Sequence, residues 1–100
     1  MSHGDWKDMF RAVQNKDVEL IMFYIRQGID VNYQHPEFLT SPLIESIRLG
    51  YLDIAKLLLQ NGALPILKEA ESNKTPGQIA FELKNKEALQ LINDFIEAKK

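Results

Sequence analysis

The chain has 100 residues, of which 45% are apolar and 26% are charged, and its net charge is -2. This length allows one domain with one core, and the composition is that of a globular protein rather than a disordered segment. The small negative charge disfavours nucleic acid as a partner, because a positive field supplies most non-specific affinity for nucleic acid.

The residues at the start of the chain lack the basic and then apolar run of a secretory signal. No apolar stretch approaches the roughly 18 residues that a bilayer span needs. We therefore expect a cytoplasmic protein that makes no membrane contact. The sequence has no cysteine, which excludes disulfides and thiolate metal sites.

The chain reads as three successive helix pairs separated by loops. The first pair runs from about Asp5 to Gln27 and is broken at Asn15 and Lys16. In the second pair, Ser41 is the predicted N-cap, Pro42 takes the first helical position, and the helix ends near Gly50. Its second helix is predicted over 52–60, and Gly62 is expected to end it in the left-handed conformation. The third pair is expected from Pro76 to about Lys84, and then from Asn85 to the C-terminus.

These pairs recur with a period of 34 residues. Gly28 and Gly62 lie in the same context, and so do Pro42 and Pro76. A fixed period of this length is the signature of a repeat architecture. The apolar positions keep the same offset, as in Val13, Ile47 and Phe81, and small residues recur at Ala12, Ser46 and Ala80.

The middle unit carries Ser-Pro-Leu-Ile-Glu-Ser over 41–46 and Gly-Tyr-Leu-Asp-Ile-Ala-Lys-Leu-Leu-Leu-Gln-Asn-Gly-Ala over 50–63. This pattern resembles the ankyrin repeat. The resemblance implies an all-α solenoid of three stacked helix-turn-helix repeats with short inter-repeat loops or hairpins. We expect one domain over 1–100, with repeats over about 5–35, 36–69 and 70–99.

Two departures from the family pattern have structural consequences. The histidine of the opening motif is replaced by Phe10, Ile44 and Gln78, so the hydrogen bonds that it makes between repeats must be absent or rebuilt. The loop glycine before the Thr-Pro position is Leu39 in one unit and Asn73 in the next. Both loops therefore lack the glycine on which the usual hairpin turn depends.

The resemblance implies a non-catalytic module that binds a protein partner, and the sequence does not identify that partner. The expected binding surface combines loop tips with the solvent side of the inner helices that line a concave groove. Its residues are Arg11, Gln14, Tyr33, Glu37, Phe38, Thr40, Glu45, Arg48, Leu49, Glu71, Lys74 and Glu82. We expect Arg48→Glu to change partner binding with little effect on melting. The alternative is a structural unit that self-associates as a homodimer through apolar loops or the terminal helix, so the chain is expected to be a monomer or a weak homodimer.

Three further interpretations concern chemistry and apolar loop residues. His3 and His35 are interpreted as surface histidines without metal-ligand spacing, and Glu69 as a solvated carboxylate, so we expect no enzyme, cofactor or metal site. Trp6 is interpreted as part of an N-terminal cap. Phe38 is either an exposed anchor or folded back over the helix ends, and Ile66 and Leu67 are expected to fold back.

Overall fold

The computed structural model describes residues 3–98, with side chains from Asp5 onward, and this range contains six α-helices and no strand. The predicted all-α class is therefore confirmed. The side chain of His3 lies outside the described residues. The helices are α1 (His3–Gln14), α2 (Val18–Arg26), α3 (Pro42–Leu49), α4 (Leu52–Gln60), α5 (Pro76–Glu82) and α6 (Lys86–Ala98).

Local sequence determines where these helices begin. Ser41 Oγ accepts a hydrogen bond from the backbone N–H of Ile44 at 3.2 Å, and Pro42 takes the first helical position, as predicted. Thr75 and Gln78 form a reciprocal capping box at the start of α5, with hydrogen bonds of 3.2 and 2.8 Å. Each cap satisfies backbone N–H groups that have no partner within the helix.

Residues in the left-handed conformation end the helices at equivalent positions. Gly28 (φ 89°) and Gly62 (φ 101°) follow α2 and α4, which confirms the predicted equivalence. After the inner helices the same role falls to Gly50 (φ 76°), Lys16 (φ 56°) and Lys84 (φ 58°). The chain therefore makes the same turn after each inner helix even where glycine is missing.

The loop turns before α3 and α5 are preserved although neither contains glycine. Leu39 and Asn73 hold φ values of 54° and 59°. The backbone N–H of Asn73 donates to the carbonyl of Glu69 at 2.8 Å, and that of Glu71 donates to the carbonyl of Leu39 at 2.9 Å. Both residues thus adopt the left-handed conformation without glycine, because backbone hydrogen bonds hold them in a region that costs a non-glycine residue roughly 1–2 kcal/mol.

The three pairs stack side by side. α1 packs on α3, α3 packs on α5, and α4 packs on α6. Ala12, Ser46 and Ala80 are all buried, as expected for points where neighbouring helices approach closely. Because one helix pair cannot bury its apolar face alone, this stacking supplies the core.

Two side-chain amides tie consecutive loops together. Asn32 donates to the carbonyl of Gly62 at 3.0 Å and accepts from the backbone N–H of Leu64 at 2.9 Å. Gln34 donates to the carbonyl of Lys68 at 2.8 Å and accepts from the N–H of Ala70 at 2.7 Å. Each amide thus satisfies one donor and one acceptor of the following loop, which fixes the spacing between the first two units.

Within residues 3–98 no helix is both long enough and apolar enough to cross a membrane.

Candidate protein-binding surface

The inner helices α1, α3 and α5 carry an exposed row of polar side chains with one leucine. Gln14 Nε2 donates to Glu45 Oε2 at 2.9 Å, which links α1 to α3 across the unit boundary. Arg11 lies 3.4 Å from Asp8 and is otherwise directed to solvent, with its side chain 68% exposed. Leu49, at the end of α3, is 42% exposed.

Ion pairs hold the loop tips beside these helices. Glu37 pairs with Lys7 of α1 at 3.1 Å, and Lys74 pairs with Glu82 of α5 at 2.6 Å. Both pairs are solvent-exposed, so each contributes little to stability. Glu71 is also exposed. The tips therefore present charges of both signs in defined positions.

A buried carboxylate, Glu69, organises the loop between the second and third units. It is 1% exposed and accepts hydrogen bonds from Thr40 Oγ1 at 2.6 Å and from Ser72 Oγ at 2.7 Å. The Arg48 guanidinium binds both of its carboxylate oxygens, with an Nη2–Oε1 distance of 2.7 Å. Such a bidentate pair is the strongest form of charge-assisted hydrogen bond between side chains.

These contacts set the protonation state of Glu69. Burial acts to raise the pKa of this carboxyl, but the hydrogen bonds from Arg48, Thr40 and Ser72 outweigh burial and lower the pKa to about 2. The same contact raises the pKa of Arg48. Glu69 is therefore a carboxylate throughout the neutral range, and its negative charge is compensated within the fold.

Two expectations about this region are wrong. Thr40 is not a loop-tip contact, because it is 7% exposed and its hydroxyl is directed at Glu69. Glu69 is not a solvated loop carboxylate. Arg48 keeps part of its side chain exposed, but its charged group serves the fold as well as the surface.

An aromatic cluster takes the corresponding place between the first and second units. Trp6 is 2% exposed and stacks on Phe10 and His35, at ring-centroid distances of 4.9 and 5.7 Å. Tyr33 meets Trp6 edge-on at 5.9 Å, and Phe38 packs on Phe10 at 5.2 Å. His35 is 6% exposed, so its interpretation as a surface histidine is wrong.

Phe38 combines both of its sequence-based interpretations. It folds back onto Trp6 and Phe10, yet 41% of it remains exposed. Ile66, in contrast, is 64% exposed, so the expectation that it folds back is wrong, whereas Leu67 is half-buried. Trp6 lies in the junction with the second unit rather than in an outer cap.

The burial of His35 and of Glu69 was missed by sequence reasoning, as was that of Thr40. One signal for His35 and Glu69 was present, because they are separated by the repeat period of 34 residues. Within residues 3–98, no group of three His, Cys, Asp or Glu side chains is arranged so that it could hold a metal ion.

Comparison with known proteins places this arrangement in a family. The family model described as "Ankyrin repeats (3 copies)" matches residues 9–99. The chain is 37% identical to human 2-5A-dependent ribonuclease over 68 residues. The matched segment covers 68% of this chain and 9% of that protein. It is 38% identical to Palmitoyltransferase ZDHHC13 of mouse and of human over 60 residues. This segment covers 60% of the chain and 10% of each relative.

The chain spans about a tenth of the length of these relatives. Their enzyme names therefore do not assign an activity to the matched segment. The family model, however, extends over all three helix pairs. The chain belongs to the ankyrin repeat family.

Proposed function

We propose that this chain binds a protein partner through the inner-helix face and the adjoining loop tips, as a small non-catalytic adaptor or regulator. Ankyrin repeats generally mediate protein–protein interactions, and repeat proteins use extended surfaces of this kind. The proposed contact residues are Arg11, Gln14, Tyr33, Glu37, Phe38, Glu45, Arg48, Leu49, Glu71, Lys74 and Glu82. We include a cytoplasmic location in this proposal.

The observation that carries the proposal is that side chains of this surface are already held by contacts within the protein. Arg48 is fixed by Glu69, Gln14 by Glu45, and Lys74 by Glu82. Long side chains lose rotamer entropy when a partner immobilises them, at about 0.5–1.5 kcal/mol each. Side chains that are ordered before binding lower this cost.

The surface chemistry favours a protein over other ligands. Charges of both signs alternate with two partly exposed apolar residues, Leu49 and Phe38. Phe38 rests on other rings and is still 41% exposed, so it is a suitable aromatic anchor for a partner's pocket. The net charge of -2 disfavours nucleic acid.

A pair of matched double variants tests this proposal. Arg11→Glu/Leu49→Asp changes the inner-helix face, and Lys56→Glu/Gln60→Glu makes the same net change of charge on exposed positions of α4. Affinity capture should recover a protein with wild type and with the α4 variant but not with the inner-helix variant. Calorimetry with the purified partner should then show at least about a tenfold weaker affinity for the inner-helix variant alone.

Circular dichroism of both variants should match the wild type, because all four positions are exposed or paired only at the surface. Equal recovery with both variants, or loss with the α4 variant alone, would contradict docking on the inner-helix face.

A further inference from the structure

The last unit exposes positions that the first two units bury. Ile47 and Val13 lie one and two periods before Phe81, and they are 1% and 0% exposed because the following unit covers them. Phe81 is 71% exposed. Leu89 is half-buried, although its equivalents Ala55 and Ile21 are fully buried. Two cavities of about 530 and 430 Å³ lie against Phe81, and both are lined by Leu89. We call this surface the C-terminal face and define it by Gln78, Phe81, Glu82, Lys84 and Leu89.

The first unit exposes the opposite set of positions. Leu20 is 36% exposed, whereas its equivalents Ile54 and Ala88 are fully buried against the preceding unit. Phe23, one turn further along α2, is 49% exposed. We call this surface the N-terminal face and define it by Arg11, Asp17, Glu19, Leu20 and Phe23.

A charge contact within the chain shows how such faces meet. Lys16, at the left-handed residue after α1, lies 3.8 Å from Asp53 of the next unit, with its ammonium 5.3 Å from the centre of the Tyr51 ring. Lys84 occupies the same left-handed position after α5. One period before Tyr51 and Asp53 stand Asp17 and Glu19.

If the C-terminal face of one copy stacked on the N-terminal face of another, Lys84 would therefore meet two acidic residues where Lys16 meets one. Lys84 makes no ion pair within the part of the chain that the structure describes.

A second contact between units also predicts opposite charges across the head-to-tail contact. Gln14 of the first unit binds Glu45 of the second at 2.9 Å. Two periods after Gln14 stands Glu82, and one period before Glu45 stands Arg11. The same register therefore pairs Glu82 of one copy with Arg11 of the next, again with opposite charges.

We propose that a second copy of this chain occupies the C-terminal face through its N-terminal face, so that the stack of units continues from one molecule into the next. This head-to-tail contact buries Phe81 and Leu20 as the internal junctions bury their equivalents. It is a heterologous contact that leaves one free face at each end, so the assembly grows as an open chain rather than closing as a dimer. This contact shares Arg11 and Glu82 with the proposed partner surface, but its apolar residues, Phe81 and Leu20, lie outside that surface.

Sedimentation velocity on the full chain, up to about 1 mM, tests this geometry with single-face variants. Wild type should show an average mass that rises with concentration beyond that of a dimer. Phe81→Asp removes the C-terminal face, and Leu20→Asp removes the N-terminal face. Each variant alone should stay monomeric, and an equimolar mixture should form a one-to-one dimer that does not grow.

The matched control is Leu64→Asp, which places the same charge on a 44% exposed apolar loop residue outside both faces and should associate like wild type. Circular dichroism should show all three variants folded. A monomeric wild type, continued association of Leu20→Asp, a mixture that stays monomeric, or loss of association in Leu64→Asp would overturn the proposal. The last result would indicate a dimer formed by the apolar loops instead.

Charge exchange tests the register within that contact. Lys84→Glu and Glu19→Lys should each weaken association by about tenfold, because each places like charges opposite one another. The double variant Lys84→Glu/Glu19→Lys should recover part of the loss, because positions 84 and 19 again carry opposite charges while Asp17 keeps its negative charge. Failure of the double variant to recover would overturn the proposed pairing of Lys84 with Glu19.

Discussion

The two junctions between units use the same positions and opposite chemistry. At the first junction His35 is buried among the rings of Trp6 and Phe38. At the second junction Glu69 is buried among hydrogen-bond donors. One junction is held by aromatic packing and the other by a compensated charge.

Three residues of the first set correspond to three residues of the second through the period of 34. The repeated backbone determines the positions of the junction residues. The side chains at these positions are aromatic in the first junction and polar in the second. A buried carboxylate needs donors at every neighbouring position, whereas a buried ring needs shape and contact area. The corresponding pairs are His35 and Glu69, Trp6 and Thr40, and Phe38 and Ser72. Arg48 is equivalent to Gln14, which binds Glu45 instead of a member of the aromatic cluster.

The largest expected effect comes from emptying the aromatic junction. Trp6→Ala should lower the free energy of unfolding by about 3–5 kcal/mol, because a large and fully buried side chain leaves a cavity. The loss is one of packing, since the buried indole Nε1 has no hydrogen-bond partner among the described residues. Urea unfolding measures it.

Phe81→Ala is the matched control for that experiment. Its ring is 71% exposed, so the cost should stay below about 0.5 kcal/mol. A loss under about 1 kcal/mol for Trp6→Ala would show that the aromatic cluster contributes little to holding the first two units together.

Breaking the ionic junction should cost somewhat less. Arg48→Glu leaves Glu69 buried without its main partner and adds a second negative charge beside it, which should cost about 3 kcal/mol. The structure thus reverses the expectation drawn from sequence, in which this variant melts like wild type. Arg11→Glu is the control, because its side chain is 68% exposed and its loss should stay within about 0.5 kcal/mol. Equal urea midpoints for both variants would refute the structural role of Arg48.

Acid should weaken the second junction selectively. The pKa of Glu69 is lowered from 4.5 to about 2 in the folded chain, so the folded state binds fewer protons than the unfolded state. The stabilisation is fully present above about pH 5 and is lost as the pH falls towards 2, and it amounts to about 2–3 kcal/mol. In urea unfolding, Glu69→Gln should have a lower free energy of unfolding than wild type at pH 7 and nearly the same free energy near pH 2. A difference between the two that does not change with pH would contradict this assignment.

The sequence predicts the fold of both junctions far better than their chemistry. Gly28 and Gly62 set the period, and Ser41 with Pro42 fixes a helix start, because these effects act through the local backbone. The burial of Glu69 depends on Thr40 and Arg48, which are 29 and 21 residues away. The residues next to a loop carboxylate in the sequence do not indicate whether distant side chains will donate hydrogen bonds to it.

The exposure of Ile66 and Phe81 was equally hidden from the sequence. Ile66 is an apolar loop residue that was expected to fold back, and Phe81 stands at a position that the first two units bury, so the sequence predicts burial for both. Phe81 is exposed because it lies in the last described unit, where no further described unit covers it as the third unit covers Ile47.

The smallest expected effect separates the turns that begin the two junctions. Leu39 and Asn73 occupy equivalent positions with φ values of 54° and 59°, and asparagine tolerates this region better than leucine does. Asn73→Leu should therefore lower the free energy of unfolding by about 1 kcal/mol, since Asn73 is exposed and a leucine there gains little burial. Asn73→Gly keeps the conformation accessible and should change stability by less than about 0.5 kcal/mol. Urea unfolding of the two variants isolates the backbone cost, because neither substitution touches the Glu69 side chain. If Asn73→Leu were as stable as wild type, residue 73 would not hold the left-handed conformation in solution. The hydrogen bond from its backbone N–H to the carbonyl of Glu69 would then not depend on that conformation.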